Sequence, residues 1–157
     1  MKVFRSAIAM FAGLGAFLLA PAAAQAADYQ VYRDAVCTPN AQCGINFPPV
    51  PAGKTLRIDH VSCYVRFLDV NEVSAAQLVV VNSAGARVFA TTLNLQFQDD
   101  PEIGATSQRV YASNDSIRAV ARPTQFFRAY AQVHNGDTGN VATILQLSCG
   151  ISGTITP

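Results

Sequence analysis

Beyond its N-terminal apolar run this sequence has no stretch long enough to cross a membrane, and from Tyr29 onward helical spacing of apolar residues is almost missing. The first lack argues against a membrane-embedded body once the leader is gone, and the second against a helical bundle. Charge of one sign is lacking too. Eleven Lys and Arg stand against ten Asp and Glu, and removing Lys2 and Arg5 with the leader leaves nine against ten, a balance of minus one. Nucleic-acid binders draw affinity from neutralising phosphates, so a nearly neutral chain argues against that class and against anionic membrane surfaces. Only one lysine, Lys54, accompanies eight arginines in that portion, a bias with no evident physical reason.

Catalytic and metal motifs are lacking as well. There is no Gly-x-Ser-x-Gly elbow, no phosphate-cradling glycine loop and no metalloprotease helix. The cysteines form no CxxC pair, and His60 and His134 stand at no zinc-ligand spacing. No motif therefore implies a cofactor. Two carboxylate pairs, Asp59 with Glu72 and Asp100 with Glu102, have the residue types a glycosidase uses, but sequence alone does not set their separation.

The N-terminus has the layout of an export signal. Lys2 and Arg5 precede an uncharged apolar run from Ala7 to Ala20, Pro21 follows, and Ala24-Gln25-Ala26 offers the small-x-small pattern of a signal peptidase site. The expectation is a cleavable leader over 1–26 and one domain over 27–157, exported to the periplasm or beyond. The uncharged stretch from Ser6 to Ala27 is also long enough for an anchor helix, but the proline and the cleavage pattern favour removal.

Four cysteines in an exported chain favour pairing in an oxidising compartment, and three connectivities exist. The short Cys37-to-Cys43 spacing predicts a local bridge, which leaves Cys63 with Cys149. Loop-closure entropy assigns about 2 kcal/mol to the short bridge and about 4.5 kcal/mol to the long one.

Apolar residues recur at period two over eight segments: 29–36, 55–68, 75–82, 86–97, 107–112, 116–122, 124–134 and 140–155. Turn residues punctuate them at 82–85, at Asn114-Asp115 and across 134–140, and Phe47-Pro48-Pro49-Val50-Pro51 reads as an extended lead-in. This predicts an all-β fold, a single β-sandwich of about eight antiparallel strands, jelly-roll or Greek-key-like, with two disulfides. Leu56 and Ile58 share one phase while Val61, Cys63, Val65 and Phe67 take the other, so a bulge is expected near Asp59-His60, where the strand passes from one part of the sandwich to another. In the last strand Val141, Thr143, Leu145, Leu147, Cys149 and Ile151 form the expected inward phase. Phe89, Leu93, Leu95 and Phe97 form another. Leu78-Val79-Val80-Val81 is apolar on both faces and calls for a covering loop or a subunit contact.

Between 125 and 134 the strand carries two unlike stripes. Phe127, Ala129, Ala131 and Val133 make the core side; Phe126, Arg128, Tyr130, Gln132 and His134 mix rings with hydrogen-bonding ends, as sugar-binding and protein-binding surfaces do. Tyr64 and Arg66, with Gln146 and Ser148, are expected to extend the polar side of the same sheet once the Cys63–Cys149 bridge forms. The plain alternative is an exposed strand on which Arg128 covers Phe126 and Tyr130. Asp99, Asp100 and Glu102 crowd three carboxylates into four positions that a calcium ion would accept, although a solvated turn explains them as well. Asp137 is a weaker case of the same kind.

The leading expectation is an exported module that binds carbohydrate or a cell-surface glycan. Its rivals are a structural envelope protein assembling as a homo-oligomer or with another envelope protein, and a small hydrolase.

Overall fold

The computed structural model describes residues 26–37, 42–68, 72–98, 108–134 and 143–157. The leader, the Asp99, Asp100 and Glu102 cluster, Asp137 and Val141 lie outside them. Nine strands and no helix occur among the described residues: β1 (Ala27–Val36), β2 (Gln42–Asn46), β3 (Thr55–Leu68), β4 (Glu72–Val81), β5 (Arg87–Thr92), β6 (Gln96–Gln98), β7 (Gln108–Ala121), β8 (Phe126–His134) and β9 (Thr143–Thr156).

The pairings are nested: β1 with β9, β2 with β8, β3 with β7, β4 with β5, all antiparallel. The chain is thus one long folded ribbon. Wrapping it brings β3 against β9 and β4 against β8, which yields two packed sheets, β1-β9-β3-β7-β6 and β2-β8-β4-β5. That is a jelly roll, with β6 as a short addition at one edge.

Two segments differ from the expected strands. The stretch 86–97 is two strands, β5 in the four-stranded sheet and β6 in the five-stranded one. Leu93, at 4% exposure, drops into the core between them while its N–H donates to the Ala76 carbonyl at 2.8 Å. Phe89, opposite buried Val80, and Phe97, opposite Tyr111, keep the inward phase, yet they are 41% and 52% exposed because β5 and β6 are edge strands. Conversely, the turn expected at Asn114-Asp115 is absent, and β7 runs unbroken from Gln108 to Ala121. Beyond Ala112 β7 has no β6 partner, so these polar residues sit on an open edge, where the Asp115 carboxylate accepts the Asn94 N–H at 3.0 Å.

The bulge falls at Asp59, as expected, for a different reason. Ile58 pairs with Gly153 and His60 with Ser152, so Asp59 is one extra residue on β3 relative to β9. β3 does not change sheets: β7 and β9 flank it on both sides of the bulge. The extra residue lets Leu56 and Ile58 face the same core as Val61, Cys63, Val65 and Phe67, all six buried. A second shift corrects the inward phase of β9. Arg66 pairs with Gln146 but Phe67 with Ile144, so Leu145 is the extra residue; Ile144 takes the core position and Leu145 is only half-buried.

Both disulfides pair as the spacing predicts. Cys63 and Cys149 are directly opposite on neighbouring strands, Cα atoms 4.1 Å apart, and both side chains are buried in the core. Cys37–Cys43 joins the end of β1 to the start of β2 and so ties the two sheets together at one corner. Two disulfides point to an oxidising compartment. No helix among the described residues is long and apolar enough to cross a membrane.

Candidate functional site

Alternation along β8 sends Phe127, Ala129 and Ala131 into the core and leaves Phe126, Arg128, Tyr130 and Gln132 half-buried on the outer surface of the four-stranded sheet. Register supplies their neighbours. On β2, Asn46 lies opposite Arg128, Gly44 opposite Tyr130 and Gln42 opposite Gln132; on β4, Val81 faces Phe126, Val79 faces Arg128 and Gln77 faces Tyr130.

A compact hydrogen-bonded cluster results. The Tyr130 hydroxyl donates to Gln77 Oε1 at 2.6 Å. Arg87 donates from Nη2 to Tyr130 Oη at 3.3 Å and from Nη1 to Gln77 Oε1 at 3.4 Å, and its guanidinium lies 5.4 Å from the centre of the Tyr130 ring. Arg128 donates from Nε to Asn46 Oδ1 at 2.6 Å and sits 5.7 Å from the Phe126 ring centre.

Arg87 is paired with Val81, yet its guanidinium reaches the Gln77 row, so its stem must run along β4 past Val79. That path, with Arg128 beside it, accounts for the two outward valines being only 2% exposed each. The apolar run 78–81 is therefore covered by the chain's own arginines and leaves little oily area there for a subunit contact.

These side chains border a shallow open depression of about 790 Å³ whose lining includes Gly44, Asn46, Val79, Arg87, Arg128 and Tyr130. Among the described residues no carboxylate and no histidine line it. Gly44 matters by what it omits: directly opposite Tyr130, it has no side chain to cover the ring on the β2 side, while Arg87 occupies the other side. The described lining is thus equipped to stack and to donate hydrogen bonds.

The other expected members do not join this surface. Tyr64 and Arg66 lie on β3, in the opposite sheet, as do Gln146 and Ser148 on β9. There Arg66 folds back on its neighbour, donating to Tyr64 Oη from Nε at 3.3 Å and Nη2 at 3.1 Å, and Gln146 donates to Ser148 Oγ at 3.2 Å. The bridge does bring β3 to β9, but β8 belongs to the four-stranded sheet and β9 to the five-stranded one, so their outer surfaces lie on opposite faces of the sandwich. His134 ends β8 opposite Glu72. Of the carboxylate pairs, Asp59 is ion-paired on the exposed surface with Arg57 at 2.8 Å. Among the described residues no three His, Cys, Asp or Glu gather as metal ligands would.

Asn46, Gln77 and Arg87 are site neighbours that the β8 stripe does not reveal. Gln77 carried a faint signal, being the polar residue in phase with Val79 and Val81; Arg87 carried none, because its contact depends on a long side chain crossing a strand. No protein-family model matches the chain, and no curated protein is significantly similar to it.

Proposed function

We propose that the chain is an exported binding module that takes carbohydrate on the outer face of β2-β8-β4-β5. The observation that carries this reading is the Tyr130 ring, held by Gln77 and Arg87 and left uncovered by Gly44 on the side facing β2. A pyranose offers an apolar C–H face for such a ring and hydroxyls for the amides and guanidinium around it. Because the cluster already bonds to itself, little side-chain freedom is lost when a ligand arrives. Jelly rolls serve lectins and capsids alike, so the support comes from the site and not from the fold. Removal of a leader near Ala26 and release to the periplasm or the exterior belong to the same reading.

Filling the gap beside the ring tests it. A Cβ on Gly44 meets only ordinary contacts, at 3.7 Å from Tyr130 Cβ and Ala129 O, so Gly44→Val should fold normally. On an array of plant and bacterial polysaccharides, wild type should retain a glycan that Gly44→Val and Tyr130→Ala both lose, with unchanged circular dichroism. A glycan held equally by all three proteins would refute the assignment to this face.

A second reading, self-association, is favoured by the open margin at β5. Val88 is 56%, Phe89 41% and Val120 51% exposed around a groove of about 400 Å³, and β5 has an edge unpaired among the described residues and free of lysine and proline. Sedimentation should then show an oligomer that Phe89→Lys dissociates; a monomer at high concentration would dismiss it.

A further inference from the structure

We infer that the sugar recognised here is acidic, a uronate whose carboxylate docks on Arg128; this rests on the carbohydrate reading above and narrows it. Among the described residues, the lining of the depression contains two guanidinium groups and not one carboxylate. Among the described residues, neither Arg87 nor Arg128 has an acidic partner; the ion pair present there is Arg57 with Asp59, elsewhere on the surface. The two arginines thus carry positive charge into a depression whose described lining offers no acid, although the chain as a whole is close to neutral.

The two arginines do different work. Arg87 spends both terminal nitrogens on Gln77 and Tyr130, so it holds the ring. Among the described residues Arg128 is tied only through Nε to Asn46, and through its flat face to Phe126. That leaves its Nη1 and Nη2 groups unengaged, on a guanidinium whose plane is already set from behind. A carboxylate accepts two parallel N–H bonds from such a fork, a match that neutral hydroxyls cannot make.

Placement fits one saccharide unit after another. Arg128 and Tyr130 are two residues apart on β8, so they are spaced by about 7 Å along the strand. A sugar stacked on the Tyr130 ring above Gly44 would therefore set its own carboxylate, or that of the adjoining unit, near Arg128.

Polygalacturonate and its fully methyl-esterified form share one backbone and differ in charge, so they separate the two layers of the argument. Isothermal titration should show the acid bound and the ester at least about tenfold weaker, the loss expected when one charge-assisted bidentate contact is removed. Arg128→Gln should lower affinity for the acid by the same factor and for the ester by less, so that the preference for the acid largely disappears; Arg128→Lys, which keeps the charge but not the fork, should fall between. Affinity for the acid should also decline as salt rises. Equal binding of acid and ester, or an Arg128→Gln protein that holds the acid as wild type does, would overturn the acidic selectivity and leave the carbohydrate reading standing. Binding of neither polymer, nor of any neutral glucan, mannan or galactan tried beside them, would overturn both.

Discussion

Cys63→Ala/Cys149→Ala protein should lose about 4 to 5 kcal/mol of unfolding free energy, against about 2 kcal/mol for Cys37→Ala/Cys43→Ala. The ratio follows from what each bridge restrains in the unfolded chain: partners 86 residues apart in one case and 6 in the other. Position in the fold adds to the difference. Cys63 and Cys149 are directly opposed in the middle of the five-stranded sheet, with Val61, Val65, Leu147 and Ile151 on the same buried face. Alanine at both sites also removes two packed sulfur atoms from that core. A domain of this size is stable by only about 5 to 15 kcal/mol, so the long-bridge variant should unfold at a much lower urea concentration. Urea titrations of the two double variants measure the contrast directly; equal midpoints would show that loop closure is not what the long bridge contributes.

Gly153→Ala should be comparably damaging, although it adds a single methyl group. At the Asp59 bulge the backbones of β3 and β9 come unusually close, and a Cβ on Gly153 would run into the Arg57 carbonyl oxygen and come within 2.8 Å of the Ile58 Cα. Both obstacles are main chain, so no rotamer change relieves them. The sheet would have to open where Ile58 is fully buried, at a cost of about 3 kcal/mol or more. Gly150 on the same strand provides the comparison. There a Cβ would meet the Ser62 hydroxyl at 3.3 Å, a side-chain atom able to turn away, and Gly150→Ala should cost less than about 1 kcal/mol. Thermal melts of the two variants separate the cases, and a Gly153→Ala protein as stable as Gly150→Ala would mean that the strands are not so close at the bulge.

Much of this architecture is legible in the residues, because burial on one face of a strand leaves a period-two record. The change of phase between Ile58 and Val61 reveals the bulge, and the cysteine spacings reveal the pairing. What the pattern does not record is which face of which sheet. Tyr64 and Tyr130 look alike as outward residues of alternating strands, yet they lie on opposite sides of the molecule because sheet membership depends on how the ribbon wraps. Edges are equally hidden: Phe89 and Phe97 have the composition and phase of core residues and owe their exposure to lying on edge strands. Turn chemistry misled at Asn114-Asp115, since an open strand edge tolerates the same polar residues that a hairpin prefers. The Leu145 bulge left no trace because the bulged residue and its neighbour Ile144 are both apolar. For the site, β8 is read correctly as a strand with one ringed and polar stripe, while the contribution of Arg87 arises from a contact 43 residues away in the chain.

The claim on which the rest turns is that ligand meets the protein on the outer face of β2-β8-β4-β5. Backbone amide shifts in 15N-labelled protein, followed during titration with galacturonate oligomers, report on that face residue by residue. The largest changes should fall at Gly44, Gln77, Arg128 and Tyr130, with β3 and β9 undisturbed. Changes centred on Tyr64, Arg66 and Gln146, or an unaltered spectrum at saturating oligomer, would contradict it.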